Sequence, residues 1–340
     1  MKKHRNIPIF VPHLGCPNTC VFCNQRKISG CEKADFSSVS AEIEEALSTI
    51  PAGTDVQIAF FGGSFTGIDR RDMIYLLETA KRFIDEGRVE SIRLSTRPDY
   101  IDEEILDILC RYGVKSIELG IQSMDDAVLR ASGRGHTAAQ TERACRLITA
   151  RGFELVGQMM TGLPEATLET ELYTARRICE LGASGARIYP TVVFRGTELE
   201  NMMKRGEYES RGMERVIDDG AAVLAVFLES GVNVIRVGLQ SSELLTDGSD
   251  TASPYHEATG ELIYSRYFRN MAEKMLAELE PCGKSVTIYV SPGEVSKMVG
   301  QKKTNSEYLK KKFSFYSIKV RESGELSPNK IKIISEERKI

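Results

Sequence analysis

Short apolar runs alternate with longer amphipathic segments over the first two thirds of the chain. Val56–Phe61 is a continuous apolar run, which is typical of a parallel strand buried on both faces. Arg70–Glu86 instead carries apolar residues at helical spacing. Further strand-like runs lie at Asn6–Val11, Ser91–Leu94, Ser116–Leu119, Glu154–Met160 and Ala186–Tyr189. This regular alternation predicts an α/β fold with a parallel sheet and crossover helices.

Helical patterns separate these strands. They lie at Ser40–Thr49, Asp102–Tyr112, Thr137–Ala150 and Thr167–Leu181. Together these strands and helices make six strand–helix units. In parallel α/β folds the site lies at the carboxyl ends of the strands, so motifs that directly follow strands are candidate site residues.

The last third of the chain has a different pattern. A long helical pattern over Gly260–Leu279 is followed by the order strand, helix, turn, helix, strand, strand from Ser285 to Ile334. This order predicts a small α+β C-terminal domain. The predicted division is a core at residues 1–240, a connecting loop and helix at 241–280, and a C-terminal module at 281–340.

Composition agrees with a globular chain and sets its charge. The 340 residues are 41% hydrophobic and 27% charged, and no apolar run approaches the length of a membrane span. The basic N-terminus is not followed by the apolar h-region and small-residue cleavage site of a secretory signal, so we expect a cytoplasmic protein without a membrane partner. Residues 281–340 carry 13 Lys and Arg against 6 Asp and Glu, although the whole chain has a net charge of −3. This excess fits a polyanion-binding module or an ordinary solvated surface.

Three of the eight cysteines lie within eight residues. Cys16, Cys20 and Cys23 have the spacing C-x3-C-x2-C, which fits a loop wrapped around one metal centre. Thiolates select zinc, copper(I) or iron–sulfur clusters. A structural zinc site, completed by Cys31 or His13, is one alternative. A [4Fe–4S] cluster held by three cysteines is the other, and it leaves one iron open to a small molecule.

The cysteine motif resembles that of the radical S-adenosylmethionine (radical SAM) superfamily, including the aromatic Phe22 before its third cysteine. The six strand–helix units match the open (β/α)6 partial TIM barrel of that superfamily's core. The resemblance implies a [4Fe–4S] cluster and S-adenosylmethionine as cofactors. It also implies reductive cleavage of S-adenosylmethionine to a 5′-deoxyadenosyl radical, which abstracts hydrogen from a substrate. The protein positions the cofactor and excludes water.

Polar and glycine-rich motifs follow the predicted strands, as the resemblance requires. The string FGGSFTG (61–67) resembles the superfamily loop that binds the methionyl amine, which implies roles for Gly62, Gly63 and Ser64. The other candidate cofactor contacts are Ser95, Arg97, Gln122, Gly162 and Leu163. A guanidinium and hydroxyl groups suit a carboxylate or a ribose, although each of these side chains also suits a structural hydrogen bond.

Longer strings narrow the resemblance to the radical SAM half of the Elongator catalytic subunit family. They include STRPD (95–99), IELGIQS (117–123), GRGHT (133–137) and MTGLP (160–164). Members of that family modify the wobble uridine of tRNA and carry an acetyltransferase domain. Here the cysteine spacing is shorter, and we recognise no acetyl-CoA loop. The resemblance therefore implies the cluster, the S-adenosylmethionine site and a tRNA or ribosomal RNA substrate, but not the family's reaction.

The C-terminal order resembles a KH domain, whose GxxG turn clamps a nucleic-acid backbone. The corresponding turn begins at Gly300, but Lys303 replaces the second glycine. The predicted phosphate contacts are Lys302, Lys303, Lys310, Lys311 and Lys312. A small α/β cap without RNA contacts is the alternative.

Catalytic side chains are not evident, but Tyr189 and His256 are candidates for the substrate-facing wall. The cluster chemistry implies an electron donor such as flavodoxin or ferredoxin. Two alternatives remain open beside an RNA-modifying enzyme. One is a small-molecule oxidoreductase similar to the coproporphyrinogen dehydrogenases, and the other is a non-catalytic iron–sulfur or RNA-binding adaptor.

Overall fold

The computed structural model describes residues 4–11, 20–23, 36–239, 250–279 and 282–336. The chain divides into two compact units, Met1–Ser210 and Arg211–Ile340. Among the helices of the described residues, none is both long and apolar enough to cross a membrane.

The first unit alternates strands and helices along the chain. Its described strands are β1 (His4–Val11), β2 (Asp55–Gly62), β3 (Ser91–Thr96), β4 (Val114–Gln122), β5 (Glu154–Thr161) and β6 (Gly185–Pro190). Its described helices are α1 (Val39–Ser48), α2 (Arg70–Asp85), α3 (Glu103–Arg111), α4 (Asp126–Ala131), α5 (Ala138–Ala150), α6 (Leu168–Glu180) and α7 (Glu198–Lys204). The predicted strands and crossover helices are all present, whereas α4 and α7 were not predicted.

The six strands of this unit pair in parallel and in chain order, from β1 to β6. Parallel neighbours in chain order require each helix to cross over the sheet, and one-way winding of such units gives a barrel wall. The structure therefore confirms the α/β class and the open (β/α)6 partial barrel. The apolar strand residues Ile58, Phe60, Leu94, Ile117 and Ile188 are fully buried.

Local sequence fixes where the crossover helices begin. Thr137 accepts a hydrogen bond from the Gln140 backbone N–H, and the Gln140 side chain accepts one from Thr137 in return, which forms a capping box. Thr167 caps α6 in the same way. Gly157 lets α6 approach β5 closely, because a Cβ there would lie 2.5 Å from the Ile178 side chain. These contacts hold the carboxyl ends of the strands in a common plane of loops.

The second unit contains a helical pair and a small mixed sheet. Its described elements are α8 (Met213–Glu229), β7 (Asn233–Val237), α9 (Thr259–Leu279), β8 (Ser285–Val290), α10 (Val295–Val299), α11 (Thr304–Phe313), β9 (Ser317–Glu322) and β10 (Ile331–Glu336). Strand β8 lies between β10, which is antiparallel to it, and β9, which is parallel to it. The predicted order of elements after Ser285 is present.

Candidate functional site

A pocket lies at the carboxyl ends of β2 to β5 in the first unit. It has about 650 Å³ of space not filled by atoms, part of which is open solvent. Predicted site residues that line it are Cys20, Cys23, Gly62, Gly63, Ser64, Ser95, Arg97 and Gln122. Lining residues that were not predicted are Phe22, Thr96, Gly120, Arg134, Gln158 and Met160.

The two described thiols of the cysteine motif reach this pocket from a tight turn. The Cys23 N–H donates to the Cys20 carbonyl at 2.9 Å. Between them, the Val21 N–H donates to the Ser132 carbonyl at 3.1 Å, and the Val21 carbonyl accepts from the Leu199 N–H at 2.8 Å. These backbone bonds fix the turn against two other segments of the unit. Cys16, the third predicted ligand, lies outside the described residues.

Glycine is required where β2 meets the pocket. Gly62 has a φ of +111°, and a Cβ there would lie 2.6 Å from the Val11 carbonyl oxygen. The Gly63 N–H donates to the same oxygen at 2.7 Å. Only a residue without a side chain allows this approach of β1 to the loop, so the wall of the pocket beside Ser64 is bare backbone.

Arg97 is buried and held by neighbouring groups. It donates to both carboxylate oxygens of Asp99 at 2.9 Å and to the Arg134 carbonyl at 2.6 Å. Burial by itself would raise the pKa of Asp99, but the Arg97 guanidinium holds that pKa below its usual range. The guanidinium that was predicted to bind a ligand is therefore already paired with a carboxylate where it lines the pocket.

Arg134 connects the cysteine turn to strand β4. Its Nη1 donates to Cys20 Sγ at 3.5 Å and its Nη2 to the Gly120 carbonyl at 2.7 Å. Its buried Nε has no hydrogen-bond partner in the structure. In the sequence, Arg134 was part of the GRGHT string (133–137) and was assigned no role of its own. Cys20 lies 114 residues from Arg134 in the sequence, so no pattern in the residues around Arg134 could reveal this contact.

Gln122 ends β4 in an unusual backbone conformation. Its φ is +65°, and the register between β4 and β5 shifts beside it. The side chain is buried, and its Oε1 has no hydrogen-bond partner. A non-glycine residue with positive φ and an unpaired buried oxygen points to a ligand-binding role, because both features cost stability.

His136 is 4% exposed and lies near Arg134 and Asp99. Burial, together with the Arg134 charge, lowers the pKa of His136 to about 3. The imidazole is therefore neutral at pH 7 and adds no positive charge beside the two arginines.

Charged side chains form a second buried group on the same sheet face, one layer below the pocket. Arg187 Nε lies 2.8 Å from Glu118 Oε2, and Arg93 Nη2 lies 3.9 Å from the same oxygen. Arg187 Nη1 also donates to the Tyr189 hydroxyl at 3.3 Å. Burial lowers the pKa of Arg93, and Glu118 only partly offsets this effect. Tyr189, a catalytic candidate, is thus tied to a cluster of two arginines and one glutamate.

The remaining predicted residues of the first unit lie apart from the pocket lining. Leu163 is buried in the core. The Gly162 N–H donates to Glu171 and its carbonyl accepts from the Tyr208 hydroxyl, both at 2.7 Å. These bonds hold the loop after β5, and a cofactor contact by Gly162 or Leu163 stays a prediction.

In the second unit, His256 Nδ1 accepts from the Ala258 N–H at 3.0 Å, at the entry to α9. Lys302 and Lys303 lie on the turn before α11, and Lys310, Lys311 and Lys312 lie in its last turn. Lys312 is paired with Glu273 and lies over the Tyr308 ring. The structure therefore places two lysines of this group on the turn itself.

Comparison with known proteins agrees with this fold and pocket. The radical SAM superfamily matches residues 10–178, and the radical SAM C-terminal domain matches residues 183–269. The chain therefore belongs to the radical SAM superfamily, and it is an enzyme that uses a [4Fe–4S] cluster and S-adenosylmethionine.

Within the superfamily, the chain is similar to Elongator complex protein 3. It is 34% identical to the human protein over 266 residues, which cover 66% of this chain and 48% of that protein. It is 32% identical to the tRNA uridine(34) acetyltransferase of Methanocaldococcus jannaschii over 206 residues, which cover 54% of this chain and 38% of that protein. The chain thus spans at most about half the length of these relatives.

A solved structure shares the fold. The archaeal Methanocaldococcus infernus Elp3 superimposes with a TM-score of 0.61 at 18% identity, covering 81% of this chain and 64% of that chain. At this identity the likeness concerns the fold alone.

The residues of the pocket fit both cofactors. Two thiols of the cysteine motif supply the soft ligands that iron–sulfur clusters require. The bare backbone at Gly62 and Gly63 leaves room for a ligand, and the unpaired Gln122 Oε1 and Arg134 Nε offer it an acceptor and a donor. The pocket therefore has two of the three predicted cluster ligands on one side and a polar wall on the other.

Proposed function

We propose that this enzyme cleaves S-adenosylmethionine reductively in the pocket at the ends of β2 to β5, and that its substrate is RNA. One observation supports the cleavage reaction. Cys20 and Cys23 line the same pocket as Gly62 and Gly63 and as two residues with unpaired polar atoms, Gln122 and Arg134. In this proposal the reaction takes place in the cytoplasm, and the electron donor is of the flavodoxin or ferredoxin class.

The pocket residues have separate roles in this proposal. Cys16, Cys20 and Cys23 hold the cluster, which when bound supplies the electron that breaks the S–C5′ bond of S-adenosylmethionine. Gly62 and Gly63 leave backbone groups open to the methionyl end of the cofactor. Gln122 and Ser95 hydrogen-bond its polar groups, and their fixed positions orient it before reaction.

Arg134 adds a positive charge at the thiol side of the pocket. Its Nη1 donates to Cys20 Sγ, and the bond from Nη2 to the Gly120 carbonyl fixes the direction of the guanidinium. The Nε–H of Arg134 has no partner in the structure and is free to donate to a polar group of the cofactor. Burial keeps these interactions strong, because little water competes with them.

Anaerobic reconstitution tests the cluster. We expect about four irons per chain, and loss of the cluster in Cys16→Ala, Cys20→Ala and Cys23→Ala. The Cys110→Ala variant is the matched control, because Cys110 is exposed and lies outside the pocket. Stoichiometric zinc without a reconstitutable cluster would contradict the proposal.

Two observations support RNA as the substrate. One relative is named as a tRNA uridine(34) acetyltransferase, and residues 281–340 carry a charge of +7. The described turn presents Lys302 and Lys303, and a lysine-rich surface binds a phosphate backbone through release of its counterions. Because the chain covers 38% of that relative, its acetyltransferase activity is not part of the proposal.

Cofactor cleavage with and without RNA tests the substrate. We expect the reconstituted enzyme to form 5′-deoxyadenosine with dithionite, and unmodified tRNA to become modified. Changing Lys302 and Lys303 together to Ala should weaken RNA binding and lower the log–log salt slope by up to about 2 units. The Lys115→Ala variant, an exposed lysine of the first unit, is the control.

The competing functions give different results in the same assay. Modification of a porphyrinogen with no effect of RNA would favour a small-molecule oxidoreductase. RNA binding without any cleavage of S-adenosylmethionine would favour an adaptor. Either result would overturn the proposed reaction.

A further inference from the structure

The small sheet of the second unit has one covered face and one open face. Helices α9, α10 and α11 contact its strands, and Val286, Ile288 and Val290 of the central strand β8 are buried. Side chains alternate between faces along a strand, so Thr287 and Tyr289 belong to the opposite face. We call the face that carries Thr287 and Tyr289 the open sheet face.

Strand register surrounds one aromatic residue with cations on the open sheet face. Tyr289 on β8 pairs directly with Arg321 on β9 and with Lys332 on β10. Thr287 pairs with Lys319 and with Ile334 in the same way. Directly paired residues point to the same side of a sheet, so Arg321 and Lys332 flank Tyr289. Lys319 lies two residues before Arg321 on β9, on the same side of the sheet.

These cations are not used to stabilise the fold. Lys319, Arg321 and Lys332 are exposed, and within the described part of the chain none of them forms an ion pair. Lys312 differs, because Glu273 neutralises it. A concentration of unpaired like charges is unfavourable for folding, and an anionic partner removes this cost.

We propose that the open sheet face binds unpaired RNA, with a base stacked on Tyr289 and phosphates held by Arg321, Lys332 and Lys319. The inference rests on the proposed RNA substrate, but it assigns a surface other than the lysine turn at residues 300–303. An aromatic ring on a central strand with cations on both sides is the arrangement that single-stranded nucleic acid requires. Bases of unpaired RNA expose their flat faces, whereas those of a duplex are already stacked.

The charges of this face favour an RNA over an acidic protein segment as its occupant. Cations alone suffice for carboxylates, but here a ring lies between them at the distance of one strand spacing, about 4.8 Å. Glu336 is the one acidic residue among the described positions of this face, and it lies at the end of β10 next to Ser285 rather than beside Tyr289.

Binding of fluorescein-labelled oligonucleotides to the full chain tests this proposal. The probes are a 12-nucleotide single-stranded U-rich RNA and an RNA duplex of equal length. We expect Tyr289→Ala to weaken single-strand binding about tenfold, as loss of one base–aromatic stack does, and to leave duplex binding nearly unchanged. Tyr289→Phe should bind normally. Tyr289→Leu keeps apolar bulk at this half-buried position, so a loss of affinity there reports stacking and not unfolding.

The charge contacts have their own readout. Arg321→Gln combined with Lys332→Gln should lower the log–log salt slope for single strands by about 0.7 for each lost phosphate contact. For the aromatic variant Tyr289→Ala, the matched control is Tyr173→Ala, because Tyr173 is 45% exposed and lies in the first unit.

The outcomes separate this proposal from the proposed function. If charge variants weaken binding and Tyr289→Ala does not, the face is only an electrostatic surface, and the stacking proposal is wrong. If Lys302 and Lys303 matter but no open-face variant does, RNA remains the substrate and this surface is excluded. If the unaltered chain binds neither probe nor tRNA, the RNA substrate itself is wrong.

Discussion

At the residue scale, Gln122 combines a strained backbone with an unpaired amide oxygen. A left-handed conformation costs a non-glycine residue roughly 1 kcal/mol, and the buried Oε1 adds the cost of a missing hydrogen bond. Both costs persist at the end of a buried strand that faces the pocket. A ligand that donates to this oxygen would recover part of them on binding.

The Gln122→Gly variant tests this division between stability and binding. We expect its free energy of unfolding to stay level or rise by up to about 1 kcal/mol, because glycine adopts positive φ without strain. Affinity for S-adenosylmethionine should fall about tenfold, which corresponds to one hydrogen bond of about 1.4 kcal/mol. Thermal unfolding and calorimetric titration of the reconstituted protein measure the two effects. A fall in stability with unchanged affinity would make Gln122 a structural residue only.

His136 gives the fold a defined acid sensitivity. Its folded-state pKa is about 3, whereas an unfolded histidine has a pKa of about 6.5. Below about pH 6.5 the unfolded chain therefore binds a proton that the folded chain does not, so stability falls as the pH is lowered. Between pH 7 and pH 5 the expected loss is about 2 kcal/mol.

Chemical denaturation at several pH values checks this expectation with His136→Gln as the comparison. The variant should lose less stability than the unaltered chain between pH 7 and pH 5, because glutamine does not titrate. Parallel pH curves for the two proteins would show that His136 does not control this dependence.

At the element scale, the turn before α11 has a left-handed backbone, although Lys303 stands at the position of the second glycine of a GxxG turn. Lys302 and Lys303 have φ values of 49° and 64°. In the turn that resembles a KH domain, lysine side chains thus occupy a left-handed conformation that glycine would adopt at less cost. Strain of this kind persists where a side chain has a function.

Two substitutions at Lys303 separate strain from charge. Lys303→Gly should raise the free energy of unfolding by up to about 1 kcal/mol, and Lys303→Asn by less, because asparagine tolerates positive φ only partly. Both remove one cation, so both should weaken RNA binding to a similar extent in anisotropy titrations. Undiminished affinity in Lys303→Gly would show that this lysine does not contact RNA.

The sequence predicted the elements of the barrel well and their long-range contacts poorly. Strands β1 to β6 are apolar runs bounded by turn residues, so their type was evident. Strand β7 was not predicted because Asn233 and Arg236 interrupt its apolar pattern. The pocket wall formed by Gln158 and Met160 also escaped prediction. These two residues lie inside β5 rather than after it, so a search for motifs that follow strands does not find them.

Interaction partners limited the site predictions in the same way. Arg97 was predicted to bind a ligand, but its bidentate pair with Asp99 is a side-chain geometry that spacing alone does not reveal. Arg134 could be assigned only after the fold brought it to Cys20. The cysteine and glycine motifs were accessible from sequence because their residue types are required by local chemistry.

At the scale of the whole molecule, each unit has a hydrophobic core of its own. In the first unit Phe60, Phe65 and Phe83 are fully buried, and in the second Phe227 and Phe268 are. We therefore expect truncation of one core to destabilise its own unit most.

Core truncation in each unit tests this independence. Phe268→Ala should lower the free energy of unfolding of the second unit by about 3–5 kcal/mol, while iron content and S-adenosylmethionine affinity remain normal. Phe83→Ala should instead weaken the first unit and the cluster. Hydrogen exchange resolved along the chain distinguishes the units. Equal destabilisation of both by either variant would show a single cooperative fold.

The backbone bonds of Val21 bear on how the enzyme recovers from oxidation. Its N–H and its carbonyl are tied to Ser132 and Leu199 by bonds in which no metal takes part. If Cys20 and Cys23 hold the proposed cluster, we therefore expect a chain that has lost iron to keep both thiols beside the pocket. Replacement of the lost iron would then be a local repair that leaves this turn in place.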